Sequence, residues 1–237
     1  SPLAFEEYLT WCTKNHAPAW MSVQPFSGRN IVYCVEKLFF DFDSKDLNLA
    51  WKETNNLATI LQNSYGVQPL VCFSGSKGYH VYVWLSEIEQ FDSVENAKRF
   101  YQTSQELILK GLSFKTLDKQ VLGDIKRLAR IPYSVHEKSL KTCTPITMDR
   151  TELFIDDLKN YRNHGLSESF CNLCKSKNKQ KTHRLANRFI PQSHKDTRPC
   201  INAALTTDLC GTAGHSMRIA VATEFLNRGF SPEQTAE

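Results

Sequence analysis

Residues 31–43 are apolar except at Glu36, Lys37, Asp41 and Asp43 and read as one or two strands, after which a helical period takes over. In Leu38-Phe39-Phe40-Asp41-Phe42-Asp43, period two puts Leu38, Phe40 and Phe42 on one face and Phe39, Asp41 and Asp43 on the other. From Asp46 to about Tyr65 the apolar positions Leu47, Ala50, Trp51, Leu57, Ala58 and Leu61 recur at helical spacing. Pro69 to Phe73 and Tyr79 to Leu85 read as two strands joined by the glycine turn Gly75-Ser76-Lys77-Gly78. Ser93 is placed to cap a helix whose face is Val94, Ala97, Tyr101, Ser104 and Ile108 and which stops at Gly111. Phe114 to Asp118 and Leu128 to Tyr133 are predicted as further strands.

Hairpins mixed with helices predict an α+β domain of mixed sheets with flanking helices over residues 1–160. The texture then becomes polar and lysine-rich, so residues 161–197 are expected to form a basic linker or cysteine-containing loop. Residues 198–237 are expected to form a small helical module, in which Met217, Ala220, Val221 and Phe225 recur before Gly229. The chain begins at Ser1 and reaches Glu237 just after Ser231-Pro232-Glu233, a helix-start signal, so a fragment of something longer is expected.

The formal charge of +4 permits a polyanionic partner without requiring one, and the location of the charge is more informative than its sum. Basic residues gather in Lys126 to Lys141 and Lys175 to Arg188. No apolar stretch has the length of a membrane span and no secretory pattern opens the chain, so an intracellular, cytoplasmic protein without a membrane partner is expected. Of the eight cysteines, Cys12, Cys34, Cys72 and Cys143 sit in apolar surroundings and read as small core residues. Cys171, Cys174, Cys200 and Cys210 cluster late, as C-x2-C and then C-x9-C. That spacing suits a structural zinc site, with His183 as a substitute ligand, or disulfides, and the pattern leaves the two chemistries open.

Three strings carry candidate chemistry. Asp41 and Asp43, close together on one face, repel unless a cation lies between them; a divalent metal answers that need, and so does an edge strand that turns both acids to water. Ser74-Gly75-Ser76-Lys77-Gly78-Tyr79-His80 offers a hydroxyl, an ammonium and an imidazole around a turn that can approach an anion closely, and it also reads as an ordinary hairpin turn. Asp118 follows an apolar run and precedes Arg127, Arg130, His136 and Lys138. A third acid would let a site hold two divalent ions, as phosphoryl transfer uses, with the basic run neutralising phosphates; Lys126, Lys138 and Lys141 read equally as a solvated charged strand.

A D-x-D strand, then S-G-x-K-G-x-H, then an aspartate shortly before R-L-x-R-x-P-x-S-x-H-x-K resembles the archaeo-eukaryotic primase superfamily, over residues 38–138. The resemblance implies a primase-type catalytic domain with Asp41, Asp43 and Asp118 as catalytic, metal-binding carboxylates for Mg2+ or Mn2+. It implies Ser74, Lys77, His80, Arg127 and Lys138 as nucleotide-binding residues, and Arg130 and His136 as contacts to template or initiating nucleotide. The implied function is a DNA-dependent primase-polymerase that makes and extends primers on single-stranded DNA from dNTP or NTP during replication. Residues 198–237 resemble part of the helical domain of the primase large subunit, which gives His215 and Arg218 the same contact role, and the combination resembles primase-polymerases of archaeal plasmids. A helicase or further domains in a longer chain are the implied partners. The alternatives are a repair-type, end-extending or gap-filling polymerase of the same superfamily, and a catalytically inactive module that binds single-stranded DNA.

Overall fold

The computed structural model describes residues 2–26 and 31–177, and the chain divides into two compact units after Arg184, so the described residues all belong to the first. The elements are α1 (Pro2–Lys14), β1 (Trp20–Ser22), β2 (Cys34–Asp43), α2 (Leu47–Tyr65), β3 (Leu70–Phe73), β4 (Gly78–Gln90), α3 (Val94–Ile108), β5 (Leu128–Arg130), β6 (Thr144–Ile146) and α4 (Leu158–Tyr161). Four strands form an antiparallel sheet in the order β2-β4-β3-β6, and β1 pairs with β5 in a separate two-stranded ribbon. This is the α+β class expected. No helix among the described residues is long and apolar enough to cross a membrane.

The period-two reading of β2 holds on both faces. Leu38, Phe40 and Phe42 are fully buried in the larger core, with Val81 and Val83 of β4, Leu57 and Leu61 of α2, and Phe100 and Tyr101 of α3. Phe39 points the other way, into a second core with Cys72, Tyr82, Val121, Ala129 and Cys143. The four-stranded sheet is thus covered on both sides, and the acids lie where the second layer leaves it open.

Local chemistry sets the helix ends. Asp46 accepts hydrogen bonds from the Asn48 and Leu49 N–H groups to start α2, and Gly66 closes it at a φ of +66°. Ser93 caps α3 through the Asn96 N–H, as expected. Helix α1 was not foreseen; its Cys12 packs with Ala19 and Ile131 in a small cluster.

Two expected strands are shortened, each for a visible reason. Over Phe114 to Asp118 only Leu117 bridges to Phe42 of β2. The Lys115 and Thr116 N–H groups bind the Glu53 carboxylate of α2 at 2.9 and 2.8 Å, so they are withdrawn from any ladder. Burial pushes the Glu53 carboxyl upward, but those bonds outweigh it and hold it below the usual range. The expected strand Leu128 to Tyr133 ends at Arg130, because Pro132 lacks an N–H and Tyr133 turns to a φ of +66°.

The expected linker over residues 161–197 is described up to residue 177, and that part folds onto the core. Leu166 bridges to Leu85 of β4, residues 168–177 are helical, and Leu166, Phe170, Cys171 and Cys174 are buried in the larger cluster. Cys171 and Cys174 are free thiols, and burial pushes the Cys171 thiol up to about 12. Both side chains are buried in that core. Cys200, Cys210, His183, His215 and Arg218, with the rest of the expected helical module, lie outside the described residues.

Candidate active site

The ladder between β2 and β4 sets the site. Asp41 lies directly opposite His80, and Cys72 of β3 lies opposite His80 on its other side, so all three share one face. One step toward the turn, Asp43 lies opposite Gly78. A Cβ on Gly78 would run into the Phe42 carbonyl and come within 2.5 Å of Asp43 Oδ1, so only glycine lets the two strands close there.

Asp118 joins them through the lone bridge of Leu117 to Phe42. The Asp118 N–H donates to the Asp41 carbonyl and the Asp43 N–H donates to the Thr116 carbonyl, both at 2.8 Å. Asp118 is thereby fixed beside Asp41 although it lies outside the sheet. One oxygen of Asp118 accepts from the Gln120 N–H at 2.9 Å, and the other faces Arg127.

The turn between β3 and β4 is tied to the basic loop. Gly75 adopts a φ of +88°, and a Cβ on it would meet His136 Cβ and the Lys141 carbonyl at 3.0 Å each. Ser139 Oγ donates to the Gly75 carbonyl. His136 Nδ1 accepts from the Lys138 and Ser139 N–H groups, both at 3.2 Å, which leaves Nε2 as the ring nitrogen with free hydrogen-bonding capacity.

The three acids face cations. Arg127 Nη2 stands 3.3 Å from both Asp41 Oδ2 and Asp118 Oδ2, and Lys77 Nζ stands 2.9 Å from Asp43 Oδ2. His80 Nε2 is 3.9 Å from Asp41 Oδ1, too far for a hydrogen bond. Burial, then the neighbouring Asp43 charge, pushes the Asp41 carboxyl up to about 7, against the pull of Arg127. Burial likewise pushes His80 down to about 4, so the imidazole is neutral at neutral pH. Asp41 Oδ1 and His80 Nδ1 are both buried without a hydrogen-bond partner. Native interiors rarely leave such atoms unpaired away from functional sites.

Asp41, Asp43, His80, Lys77, Arg127 and His136 line one cleft of about 200 Å³ together with Trp20, Phe39, Ser74, Ser76, Leu128, Ala129 and Arg130. Of the residues singled out in sequence, the cleft wall gathers Asp41, Asp43, Ser74, Lys77, His80, Arg127, Arg130 and His136. Asp118 is joined to it through Arg127. Lys138 is exposed and does not line it; its backbone N–H supports His136 instead. Arg130 is only 2% exposed, bound to Glu137 Oε2 at 2.6 Å and to the Val135 carbonyl at 3.2 Å, so its guanidinium is largely committed within the fold. Trp20 and Ser76 were not foreseen. Ser76 lies inside the quoted turn string, whereas Trp20 sits in a three-residue strand too short to carry a pattern.

The donor set fits a hard divalent cation: its atoms are carboxylate oxygens, and one of them, Asp41 Oδ1, has unspent lone pairs. Among the described residues no three acidic, histidine or cysteine side chains are gathered closely enough to hold a metal ion as they stand. Arg127 and Lys77 are the cations that the acids face.

Residues 40–148 match the family model of the DNA primase small subunit. The DNA primase small subunit PriS of Saccharolobus solfataricus is 30% identical over 123 residues, covering 43% of this chain and 36% of the relative. That of Saccharolobus islandicus is 31% identical over 119 residues with the same shares. The chain thus spans about a third of the length of these relatives. Among solved structures, the archaeo-eukaryotic primase domain of the cyanophage S-2L primase-polymerase aligns at a TM-score of 0.42 and 11% identity, covering 65% of this chain and 75% of that one.

Proposed function

We propose, from the match of residues 40–148 to the DNA primase small subunit model, that this chain is a nucleotidyltransferase of the archaeo-eukaryotic primase superfamily. In this reading it is a DNA-dependent primase-polymerase that builds and extends primers on a single-stranded DNA template. The observation that carries the reading is the convergence of two acids, a glycine turn and Arg127 on one cleft, with a third acid held beside it. The reaction is attack of a 3′-oxygen on the α-phosphorus of a nucleoside triphosphate, with pyrophosphate leaving.

Asp41, Asp43 and Asp118 are the proposed catalytic carboxylates, and they would hold Mg2+ or Mn2+. When bound, such an ion supplies positive charge at the reacting phosphate and favours the deprotonated 3′-oxygen. Ser74, Ser76, Lys77 and Arg127 surround the place proposed for the triphosphate and meet its charge with hydroxyl and cationic donors. His80, buried and neutral, keeps a ring N–H available without adding a charge that would compete with the acids. Gly75 and Gly78 let the turn pack against both the basic loop and the acid-bearing strand. The base itself is chosen by pairing with the template. The late module at residues 198–237, with His215 and Arg218, is proposed to meet template or initiating nucleotide.

Incubation of the purified chain with an unprimed single-stranded template, labelled dNTP or NTP, and Mg2+ or Mn2+ tests the proposal. Template-dependent products without a primer support it. Products only from an added primer would replace it with the repair-type polymerase, and no incorporation under either condition would reduce it to a nucleic-acid-binding module.

A further inference from the structure

Trp20 belongs to none of the three strings, yet it lies in the wall of the same cleft. It opens β1, directly opposite Arg130 of β5, and both side chains are on the ribbon face that includes Leu128. The Arg130 guanidinium carbon lies 4.4 Å from the indole centroid. Arg130 cannot follow a ligand outward, because Glu137 and the Val135 carbonyl hold it and it is 2% exposed. Trp20 itself is 45% exposed. The indole therefore has one face buttressed by a fixed cation while much of the ring stays accessible.

A single exposed tryptophan needs no explanation. A ring backed by a buried cation, lining a cleft that Ser74, Lys77 and Arg127 also line, is a different case. The cleft thus combines hydroxyl and cationic groups able to meet phosphate with a flat apolar ring. Leu128, 55% exposed, adds apolar surface to the same cleft. That combination matches the two halves of a nucleotide, and aromatic stacking accepts any base because every base has a π-face.

We propose that the accessible indole surface of Trp20 is the platform on which the base of the bound nucleoside triphosphate stacks, with Arg130 as the positioning residue that holds the ring. The inference rests on the nucleotide-site reading above and assigns it a base subsite. Nucleotide identity is then left to the template, while affinity for the base comes from Trp20.

Affinities of the full chain for dATP and for inorganic tripolyphosphate, which lacks a base, separate the two halves of the site. Trp20→Ala should weaken dATP binding about tenfold or more and leave tripolyphosphate binding unchanged. Trp20→Phe should restore most of the dATP affinity. Binding of dATP should also quench tryptophan fluorescence in the wild type and lose most of that quenching in Trp20→Phe, where three of the four tryptophans remain. Unchanged dATP affinity in Trp20→Ala, or full quenching in Trp20→Phe, would overturn the platform while leaving the triphosphate site standing. Equal loss of both probes in Trp20→Ala would assign the residue to the fold instead. If the wild type binds neither probe, the nucleotide-site reading fails, and the platform with it.

Discussion

Asp41 and His80 face each other across the β2–β4 ladder with 3.9 Å between Oδ1 and Nε2, and burial disfavours the charged form of each. They are neighbours without being an ion pair at neutral pH. Burial raises one group and lowers the other, so both shifts fall in nearly the same pH range.

A pH prediction follows from the signs. Asp41 is raised to about 7 in the folded chain, so without divalent metal its contribution to stability is full below the ordinary carboxylate range and is lost as pH rises toward 7. His80 is lowered to about 4, so its contribution is full above the ordinary histidine range and is lost as pH falls toward 4. Between those limits the two slopes oppose each other and largely cancel in the wild type. Removing one group unmasks the other. In urea denaturation without divalent ions, Asp41→Asn should become more stable as pH rises from about 4 to 6.5, and His80→Phe should become less stable. Parallel slopes in the two variants would refute the assignment.

Asp118 separates catalysis from folding most cleanly. Asn at this position keeps an acceptor for the Gln120 N–H, so Asp118→Asn should stay within about 1 kcal/mol of wild-type stability. It removes a proposed carboxylate from the place where charge develops, so nucleotide incorporation should fall on the order of 10³-fold. Turnover within about tenfold of the wild type, measured with Mg2+ or Mn2+, would take Asp118 out of the proposed set.

Much of this cleft was legible because its central elements are long and strictly patterned. Period two alone places Leu38, Phe40 and Phe42 opposite Phe39, Asp41 and Asp43, and the glycine turn makes β3 and β4 neighbours. What escaped depends on contacts remote in sequence. Glu53 of α2 takes the N–H groups that would have made Phe114 to Asp118 a strand. The buried residues Leu166, Phe170, Cys171 and Cys174 are interspersed with exposed polar positions, so a core helix resembled a linker. The burial of Arg130 was also not legible, because a buried arginine needs a partner and Glu137, seven residues on, gives no short-range pattern.

Arg130 should therefore behave as a residue of the fold. Arg130→Leu leaves Glu137 and the Val135 carbonyl without their donors, which should cost about 2 kcal/mol or more and lower the urea midpoint without changing the slope. Arg130→Lys should recover only part of that loss, because an ammonium cannot serve both acceptors through a planar fork while lying over the Trp20 ring. A midpoint unaltered in both variants would show that the guanidinium is dispensable to the fold.

Gly78 offers a test of how closely the acid-bearing strand and the glycine turn must approach. Alanine there would drive its methyl into the Phe42 carbonyl and against Asp43, where neither backbone nor strand partner can yield cheaply. The two strands must part at the point where Asp43 meets Lys77, so Gly78→Ala should cost about 1 to 3 kcal/mol and also depress incorporation per folded molecule. Gly66→Ala is the matched control. It adds a methyl at a φ of +66° with nothing within 4 Å, so it should cost about 1 kcal/mol through backbone strain and leave specific activity intact. If Gly78→Ala, corrected for its folded fraction, incorporates nucleotide as well as Gly66→Ala does, then close apposition of Asp43 and the turn is a requirement of the fold and not of the chemistry.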